Sequence, residues 1–205
     1  MHENFEEQYS EKGYKFIAGI DEVGRGALFG DVLACAIIMP VDEEHIDGIK
    51  DSKKLSEKKR ERFYEEILNE SVAIGIGRVE PEIIDQINIK EATHLAMLRA
   101  IENLRDSDGN KIVPDILLID AETINTDIEQ VPIIKGDDKC YTISCASIVA
   151  KVYRDRLCQK WAKRYENYGI EKHKGYGTKL HRDAIKAYGP SEMHRLSFLK
   201  NRKEW

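Results

Sequence analysis

The sequence has few of the features that mark membrane proteins, secreted proteins and zinc-binding proteins. No apolar run approaches the ~20 residues that a membrane span needs, and the acidic, polar start, MHENFEEQYS, is not typical of a signal peptide. The four cysteines form no C-x-x-C pair, which argues against a zinc site and against a disulfide framework. These absences predict a cytoplasmic protein without a membrane partner, whose thiols at positions 35, 140, 145 and 158 stay reduced.

An excess of positive charge is also lacking, because the net charge is −5. The charge is unevenly distributed, however. Residues 151–205 hold 15 Lys and Arg against 6 Asp and Glu, a balance of +9, so residues 1–150 carry −14. This asymmetry is typical of a molecule with an acidic part and a basic, phosphate-facing part, although a solvated basic helix surface gives the same numbers.

The chain length and the apolar pattern predict one α/β domain. The 205 residues are 41% hydrophobic, which is enough for a sizeable core. Apolar runs and alternation predict five strands, at 15–21, 31–39, 72–79, 116–120 and 131–135. The first three strands are expected to form an antiparallel meander. Helices are predicted at 57–69, 89–105, about 142–166 and 179–188.

Acidic residues follow three of the predicted strands. Asp21 and Glu22 end the first strand, Asp120 ends LLID, and Asp137 follows IIKG. Carboxylates at strand ends are held by rigid backbone, so they can converge, and divalent cations relieve their mutual repulsion. Mg²⁺ prefers such oxygen ligands and Mn²⁺ uses similar ones, and two such ions can hydrolyse a phosphodiester.

The pattern leaves the choice of the fourth acid open. Asp127, Asp138 and Glu122 compete with Asp137. Each acid taken alone is more simply explained as a turn or cap residue at a strand end. The coincidence of three apolar segments that all end in acid favours a cation site.

A glycine-rich loop and two polar segments supply candidate substrate-binding residues. Gly24, Arg25 and Gly26 place nearly bare backbone beside the first acids, where amides and carbonyls can touch a sugar hydroxyl or a phosphate. The segments DSKKLS and HKGYGTKLH offer phosphate-binding groups and an accessible aromatic ring. The candidates in these two segments are Lys53, Lys54, Lys174, Tyr176, Thr178 and Lys179. Ordinary solvated lysines and a packing tyrosine are the simpler alternative for each residue alone.

Read together and in order, these motifs resemble the ribonuclease HII family, the prokaryotic type 2 ribonucleases H. The motifs are AGIDEVGRG, DSKKLS, NIKEATHLAM, LLIDA, IIKGDDK with CASIVAKVYRD, HKGYGTKLH and HRLSF. The resemblance runs from about residue 15 to residue 199. It implies a ribonuclease H-like fold, with a five-stranded mixed sheet, flanking helices and a helical C-terminal extension. We expect a polar segment over 1–14, a catalytic core over 15–166 and a basic extension over 167–205.

The resemblance also implies an activity. It predicts a metal-dependent endoribonuclease that cleaves the RNA strand of RNA–DNA hybrids. The family also cuts on the 5′ side of single ribonucleotides in duplex DNA, which leaves 3′-OH and 5′-phosphate ends. The implied cofactor is Mg²⁺ or Mn²⁺ at a two-metal site, and the implied partners are RNA–DNA hybrid and ribonucleotide-containing duplex DNA, bound by a monomer.

The family's site residues carry over one by one. Its four catalytic acids match Asp21, Glu22, Asp120 and Asp137, and this match is what prefers Asp137 to Asp138. The family's GRG loop, which contacts the 2′-OH, matches residues 24–26. Its junction tyrosine matches Tyr176.

The sequence departs from the family pattern near this loop. Where the family commonly reads PLAGPV, the chain has ALFGDV, with Ala27, Phe29 and Asp31. Leu196 in HRLSF stands where a second Arg is common. These changes predict a looser loop and a less secure junction preference, but they spare every acid.

Two other functions remain as alternatives at this point. A non-catalytic hybrid-binding protein of the same fold should have lost at least one acid, whereas this chain keeps all four. Another two-metal nuclease of the same fold would not explain a GRG loop combined with KGYGT.

Overall fold

The computed structural model describes residues 2–200 and contains a five-stranded mixed sheet. The strands are β1 Ile17–Val23, β2 Val32–Ile38, β3 Ala73–Val79, β4 Ile116–Asp120 and β5 Glu129–Ile133. Their order across the sheet is β3-β2-β1-β4-β5. The first three strands are antiparallel, and β4 and β5 run parallel to β1. The predicted meander and mixed sheet are therefore confirmed.

The last strand begins and ends two residues earlier than the apolar pattern predicted. β5 pairs with β4 from Glu129 to Ile133, and Lys135 has φ +60°, which a strand cannot accommodate. β5 is an edge strand, and its first residues are polar and partly exposed. An edge strand needs less apolar sequence than a central one. The apolar run VPIIK therefore predicts the boundaries of β5 two residues too late.

Seven α-helices surround the sheet within the described residues. They are α1 Phe5–Ser10, α2 Glu57–Glu70, α3 Pro81–Glu102, α4 Gly136–Lys139, α5 Tyr141–Arg164, α6 Ile170–His173 and α7 Lys179–Tyr188. The predictions for α2, α5 and α7 hold to within two residues. Helix α3 begins eight residues before the predicted start at 89. A kink at Asn88 (φ 70°) explains this, since its side chain accepts hydrogen bonds from the backbone N–H groups of Lys90 and Glu91 and so caps the second half of the helix.

Helix α1 was not predicted, because 1–14 looked like a polar segment. Its Glu6 is buried, and the Glu6 Oε1 atom accepts hydrogen bonds from the backbone N–H and the hydroxyl of Thr142 at 2.8 and 2.7 Å. Glu6 therefore caps the first turn of α5 from a distant part of the chain. The favourable charge at a helix N-terminus explains why a carboxylate is tolerated in this buried place.

The helices cover both faces of the sheet. Helix α3 packs closely on β3, where a Cβ added at Gly75 or Gly77 would overlap the backbone carbonyls of Ala100 and Ala96. Helices α2 and α5 cover the opposite face, around Phe63, Ile67 and the small residues of α5. All four cysteines are free and buried, as expected for reduced core thiols.

The C-terminal third packs against the glycine-rich loop. Phe29 and Cys158 form an apolar cluster with residues after 167, including Tyr168, Ile170 and Ile185. Residues 201–205 of the predicted extension lie outside the described residues. Among residues 2–200, none of the helices is both long and apolar enough to traverse a bilayer.

Candidate functional site

Three of the four predicted acids lie at the carboxyl ends of adjacent strands. Strand β1 continues to Val23. Asp21 and Glu22 are therefore among its last three residues and do not end it as predicted. The β1–β4 pairing stops at Ile20, whereas β2 still pairs with β1 beyond that point. One edge of β1 is therefore open beside these acids. Asp120, the last residue of the neighbouring β4, lies at the same edge.

Asp137 is positioned by a helix. It lies in the first turn of α4, and not directly after a strand. The N–H of Gly136 donates a 2.7 Å hydrogen bond to Asp120 Oδ1, which attaches the start of α4 to the end of β4. Asp137 therefore approaches the strand-end acids from a different element.

The acids influence one another electrostatically. Burial, followed by the charge of Glu22, holds the pKa of Asp21 well above its usual range, and Asp120 adds to the effect. Burial likewise raises the pKa of Glu22 and of Asp120. Asp137 is among the charges that raise the pKa of Asp120. These carboxylates therefore repel one another, and a bound cation would relieve that repulsion.

Nearby cations already compensate part of this charge. Lys53 Nζ lies 3.1 Å from Asp137 Oδ2, and Arg25 Nη1 lies 3.5 Å from Glu22 Oε1. Within residues 2–200, no three His, Cys, Asp or Glu side chains are already arranged so that they could hold a metal ion. The donor set is all carboxylate oxygen, which fits Mg²⁺ or Mn²⁺ better than zinc. The four-carboxylate metal site therefore stays a prediction that the chemistry of the residues supports.

The competing acids have other surroundings. Glu122 contacts Arg25 at 3.3 Å and His94 at 3.2 Å, and these partners lower its pKa although burial raises it. Asp138 is exposed and pairs with Lys54 at 2.6 Å. Asp127 precedes β5, so it lies at the opposite end of the parallel β4–β5 pair from Asp120. The topology thus separates Asp127 from the other acids.

Ser147 of α5 also contacts this site, and the motif reading did not single it out. Its side chain hydrogen-bonds Asp21, and its hydroxyl lies 2.8 Å from the hydroxyl of Ser52 in DSKKLS. It therefore connects the first acid to the segment that carries Lys53. A serine among small and apolar residues, in CASIVA, was the available signal.

The glycine-rich loop and the KGYGT segment form one unit. Ala27 forms an antiparallel bridge with Tyr176, and the Leu28 N–H donates to the Gly175 carbonyl at 2.8 Å. Tyr176 is 37% exposed, and its ring lies against Gly26, where an added Cβ would be 3.9 Å from Tyr176 Cε1. Three predicted substrate-reading positions, 24, 26 and 176, are thus brought together.

Two fully buried arginines hold this loop, although the sequence pattern predicts a role for neither. Arg195 donates to the carbonyls of Gly30 (2.9 Å) and Arg25 (2.8 Å). Arg154 donates to the carbonyls of Phe29 and Asp31, both at 3.2 Å, and lies so close to Gly24 (φ +90°) that a side chain there would overlap it. Burial, followed by the charge of Arg154, lowers the pKa of Arg195 to about 9. Guanidinium groups with several donors in a fixed plane suit such convergent carbonyls.

The departures from the family pattern anchor the loop. Phe29 is fully buried with its ring edge-on to His194 at 4.9 Å, and Asp31 pairs with Arg78 at 2.6 Å. The predicted loosening from the missing prolines is therefore offset by these contacts.

The predicted phosphate-binding groups lie at the surface or beside it. Lys174 Nζ donates to the Glu171 carbonyl, Lys179 pairs with Asp183 at 2.6 Å, and the Thr178 hydroxyl caps α7. Of these five candidates, Lys53 is the only one whose ion pair involves a predicted catalytic acid, since Lys54 pairs with the neighbouring Asp138. The contacts described for Lys174, Thr178 and Lys179 do not involve the acids.

Comparison with known proteins identifies the chain. The sheet order and a TM-score of 0.75 with ribonuclease H2 of Pyrococcus horikoshii, at 24% identity over 93% of this chain and 98% of that one, place it in the ribonuclease H-like fold class. Bst-RNase HIII, solved in complex with Mn²⁺, shares the fold with a TM-score of 0.62 at 16% identity, over 92% of this chain and 68% of that one.

The family follows from the sequence comparisons. The ribonuclease HII family model matches residues 18–201. A ribonuclease HII of Alkaliphilus oremlandii is 63% identical over 187 residues, which are 91% of this chain and 92% of that protein. The chain belongs to the ribonuclease HII family, and it is an endoribonuclease that acts on RNA–DNA hybrids.

Proposed function

We propose that this endoribonuclease holds two divalent ions, Mg²⁺ or Mn²⁺, on Asp21, Glu22, Asp120 and Asp137. The acids come from adjacent strand ends and from α4, and burial together with mutual repulsion raises the pKa of the first three. The neighbour Bst-RNase HIII, which has been solved with Mn²⁺, supports this choice of ion. When bound, such ions supply an activated water and charge stabilisation at the leaving oxygen.

Basic and polar side chains of the protein would balance the charge of the acids and bind the substrate phosphates. Lys53 is placed to balance the charge of Asp137 until a substrate phosphate or a cation approaches. Arg25 pairs with both Glu22 and Glu122 and thereby fixes the Glu22 carboxylate beside the glycine-rich loop. Lys174, Thr178 and Lys179 are proposed to contact the phosphate backbone outside the cleavage point, where the basic third of the chain lies.

The same proposal covers recognition of single ribonucleotides. The backbone of Gly24, Arg25 and Gly26 reads the 2′-OH, which can donate and accept a hydrogen bond. Tyr176 packs on the next nucleotide and senses where RNA ends. Duplex DNA with one ribonucleotide is then cut on the 5′ side, which leaves 3′-OH and 5′-phosphate ends.

Recognition of the single ribonucleotide rests on the contact between the partly exposed Tyr176 and Gly26. This contact places an accessible aromatic face beside bare backbone, and the buried arginines hold that backbone. The enzyme is proposed to work as a monomer in the cytoplasm, since its four free thiols suit a reducing compartment.

The test compares two substrates in single-turnover reactions with saturating Mg²⁺. One duplex carries a single ribonucleotide and the other is a long RNA–DNA hybrid. Tyr176→Ala should lower incision at the single ribonucleotide by about tenfold or more, because stacking on an aromatic ring contributes about 1–3 kcal/mol. Cleavage within the hybrid should fall much less.

Two variants control this experiment. Tyr176→Phe keeps the ring and should behave like the native protein. Tyr188→Ala removes another exposed tyrosine, which lies at the end of α7. Equal losses on both substrates with Tyr176→Ala would make Tyr176 a general binding residue and end its junction role.

A further inference from the structure

The side chain of Tyr176 is only partly covered, so its position depends on its backbone. The Tyr176 N–H donates to the His173 carbonyl at 3.0 Å. The Tyr176 carbonyl lies 2.8 Å from the Thr178 N–H and 3.0 Å from His181 Nδ1. The carbonyl direction fixes the orientation of the peptide unit that follows Tyr176, and so the direction of the Cα–Cβ bond from which the ring projects.

The partners of the histidines determine which ring nitrogens carry protons. A carbonyl only accepts, so His181 Nδ1 must carry a proton, and the Nε2 atom of neutral His181 must accept. That Nε2 lies 3.1 Å from His194 Nε2, which therefore donates. The His194 Nδ1 atom then accepts, and the backbone N–H of Ser191 donates to it at 2.9 Å. The result is one continuous chain of donors from Ser191 to Tyr176.

The surroundings keep both rings neutral. His181 and His194 are 0% and 2% exposed. Burial is the main cause that lowers the pKa of each to about 4, and each also feels the positive charge that the other rings would carry. The titratable groups that face them are the stacked ring of His173, 4.3 Å from His181, and, at His194, the ring of Tyr168 at 4.8 Å and the carboxylate of Glu192. A second proton on either ring would set two N–H donors against each other and break the chain.

We infer that His194 and His181 are positioning residues for junction recognition, which act by holding the Tyr176 carbonyl through this chain of hydrogen bonds. The inference rests on the junction role proposed for Tyr176. Loss of the His194 donor leaves the buried His181 Nε2 without a partner and frees His181 to turn. Tyr176 remains partly exposed, with the Arg154 guanidinium 5.7 Å from its ring centroid, so its ring then loses its fixed direction beside Gly26.

Two substitutions at position 194 separate hydrogen bonding from packing. In His194→Gln the side-chain amide can occupy the place of the ring Nε2 and keep the donor to His181. In His194→Asn the amide reaches only the place of Nδ1, so the bond to Ser191 can persist and the donor to His181 is lost. His45→Asn is the control, because His45 is exposed and stacks on Tyr141 outside this chain.

The inference predicts a change in substrate preference. His194→Asn should lower single-turnover incision at a single ribonucleotide by about tenfold, which is the effect expected when a buried acceptor loses its partner. Cleavage within a long hybrid should fall far less. His194→Gln should keep the ratio of single-ribonucleotide incision to hybrid cleavage near the native value. His45→Asn should leave this ratio unchanged. Equal losses on both substrates for His194→Asn, or a loss for Gln as large as for Asn, would overturn the inference.

A double variant shows whether the effect passes through Tyr176. His194→Asn should add no further loss of preference when Tyr176→Ala is already present, because the ring that it positions is gone. Additive losses would mean that His194 acts by another route. If Tyr176→Ala alone leaves the preference unchanged, the proposed junction role fails by itself. A preference that Tyr176 controls and His194→Asn does not alter defeats only the present inference.

Nitrogen-15 spectra of the native protein test the hydrogen bonds without any variant. At neutral pH, His181 should carry its proton on Nδ1, and His194 and His173 should carry theirs on Nε2, since His173 Nε2 faces the Tyr168 carbonyl at 2.8 Å. Nε2 protonation of His181 would break the proposed chain at its link to Tyr176. That outcome would overturn the inference even if His194→Asn fails to fold.

Discussion

The buried histidines make the stability of the protein depend on pH. The pKa of His194 is lowered to about 4 in the folded protein, mainly by burial, and is about 6.5 in an unfolded chain. Below pH ~6.5 the unfolded chain therefore binds more protons than the folded protein does. The sign follows: the contribution of His194 to the unfolding free energy is fully present above pH ~6.5 and is lost as the pH falls towards ~4.

The magnitude can be worked out from this shift. A lowering from about 6.5 to about 4 corresponds to roughly 3 kcal/mol over the whole range. Between about pH 7 and about pH 5, linkage gives a loss of about 2 kcal/mol from His194 alone. Asp21, Glu22 and Asp120 act in the opposite direction, because their raised pKa values make the folded protein bind protons more readily as the pH falls.

The assay therefore compares native protein with His194→Gln, so that the carboxylate contributions cancel. Urea unfolding is followed in EDTA at about pH 7 and about pH 5, and His45→Gln serves as the control. Acidification should cost the native protein about 2 kcal/mol more unfolding free energy than it costs His194→Gln. A difference between the two proteins that is the same at both pH values would refute the burial argument, and with it the neutral state of His194.

Three further predictions concern the metal site, the phosphate contacts and the sheet. Asp120→Asn should abolish cleavage at saturating Mg²⁺, while the metal-free variant should unfold at the same urea concentration as the native protein or a higher one, because repulsion between carboxylates is relieved. Asp138→Asn should keep most activity. An active Asp120→Asn variant and an inactive Asp138→Asn variant would reject Asp120 as a catalytic acid. Replacing Lys174 and Lys179 together by Gln should weaken substrate binding and flatten its salt dependence by up to about 2 units of slope, and an unchanged slope would place the phosphate contacts elsewhere. Gly77→Ala should lower the urea midpoint by the equivalent of about 1–3 kcal/mol or more, since its Cβ would overlap the Ala96 carbonyl; an unchanged midpoint would show that α3 packs less closely on β3.

Local sequence pattern was sufficient for a strand that is buried on both faces and for a helix that ends at a strong stop signal. Strand β4 and helix α7 fall on the predicted residues, because a continuous apolar run and a Gly-Pro stop each have one structural solution. Asp120 could be placed at a strand end for the same reason. Asp137 could not be chosen over Asp138 from pattern alone, because both lie in the first turn of α4, and the choice came from family resemblance.

The features that the sequence analysis missed depend on contacts across the chain. Glu6 resembles a solvent-facing residue until α1 meets α5. Arg154 and Arg195 resemble surface charges in a basic segment, yet both are fully buried because the loop before β2 supplies their carbonyl partners. Charge composition thus overstated the number of arginines available to bind phosphate.

Helix α5 links the acids to the loop that is proposed to read the sugar. Near its start, Ser147 bonds to Asp21, and Gly19 lies so close to Thr142 that a Cβ there would be 2.5 Å from its backbone carbon. About two turns later, roughly 10 Å along the axis, Arg154 holds the carbonyls of the glycine-rich loop. A rigid helix of this length therefore sets the spacing between the acids proposed to hold metal and the loop proposed to contact the 2′-OH. Since both groups are attached to the same helix, a shift of α5 relative to the sheet would disturb cleavage and recognition together, whereas a change at Tyr176 should disturb recognition alone.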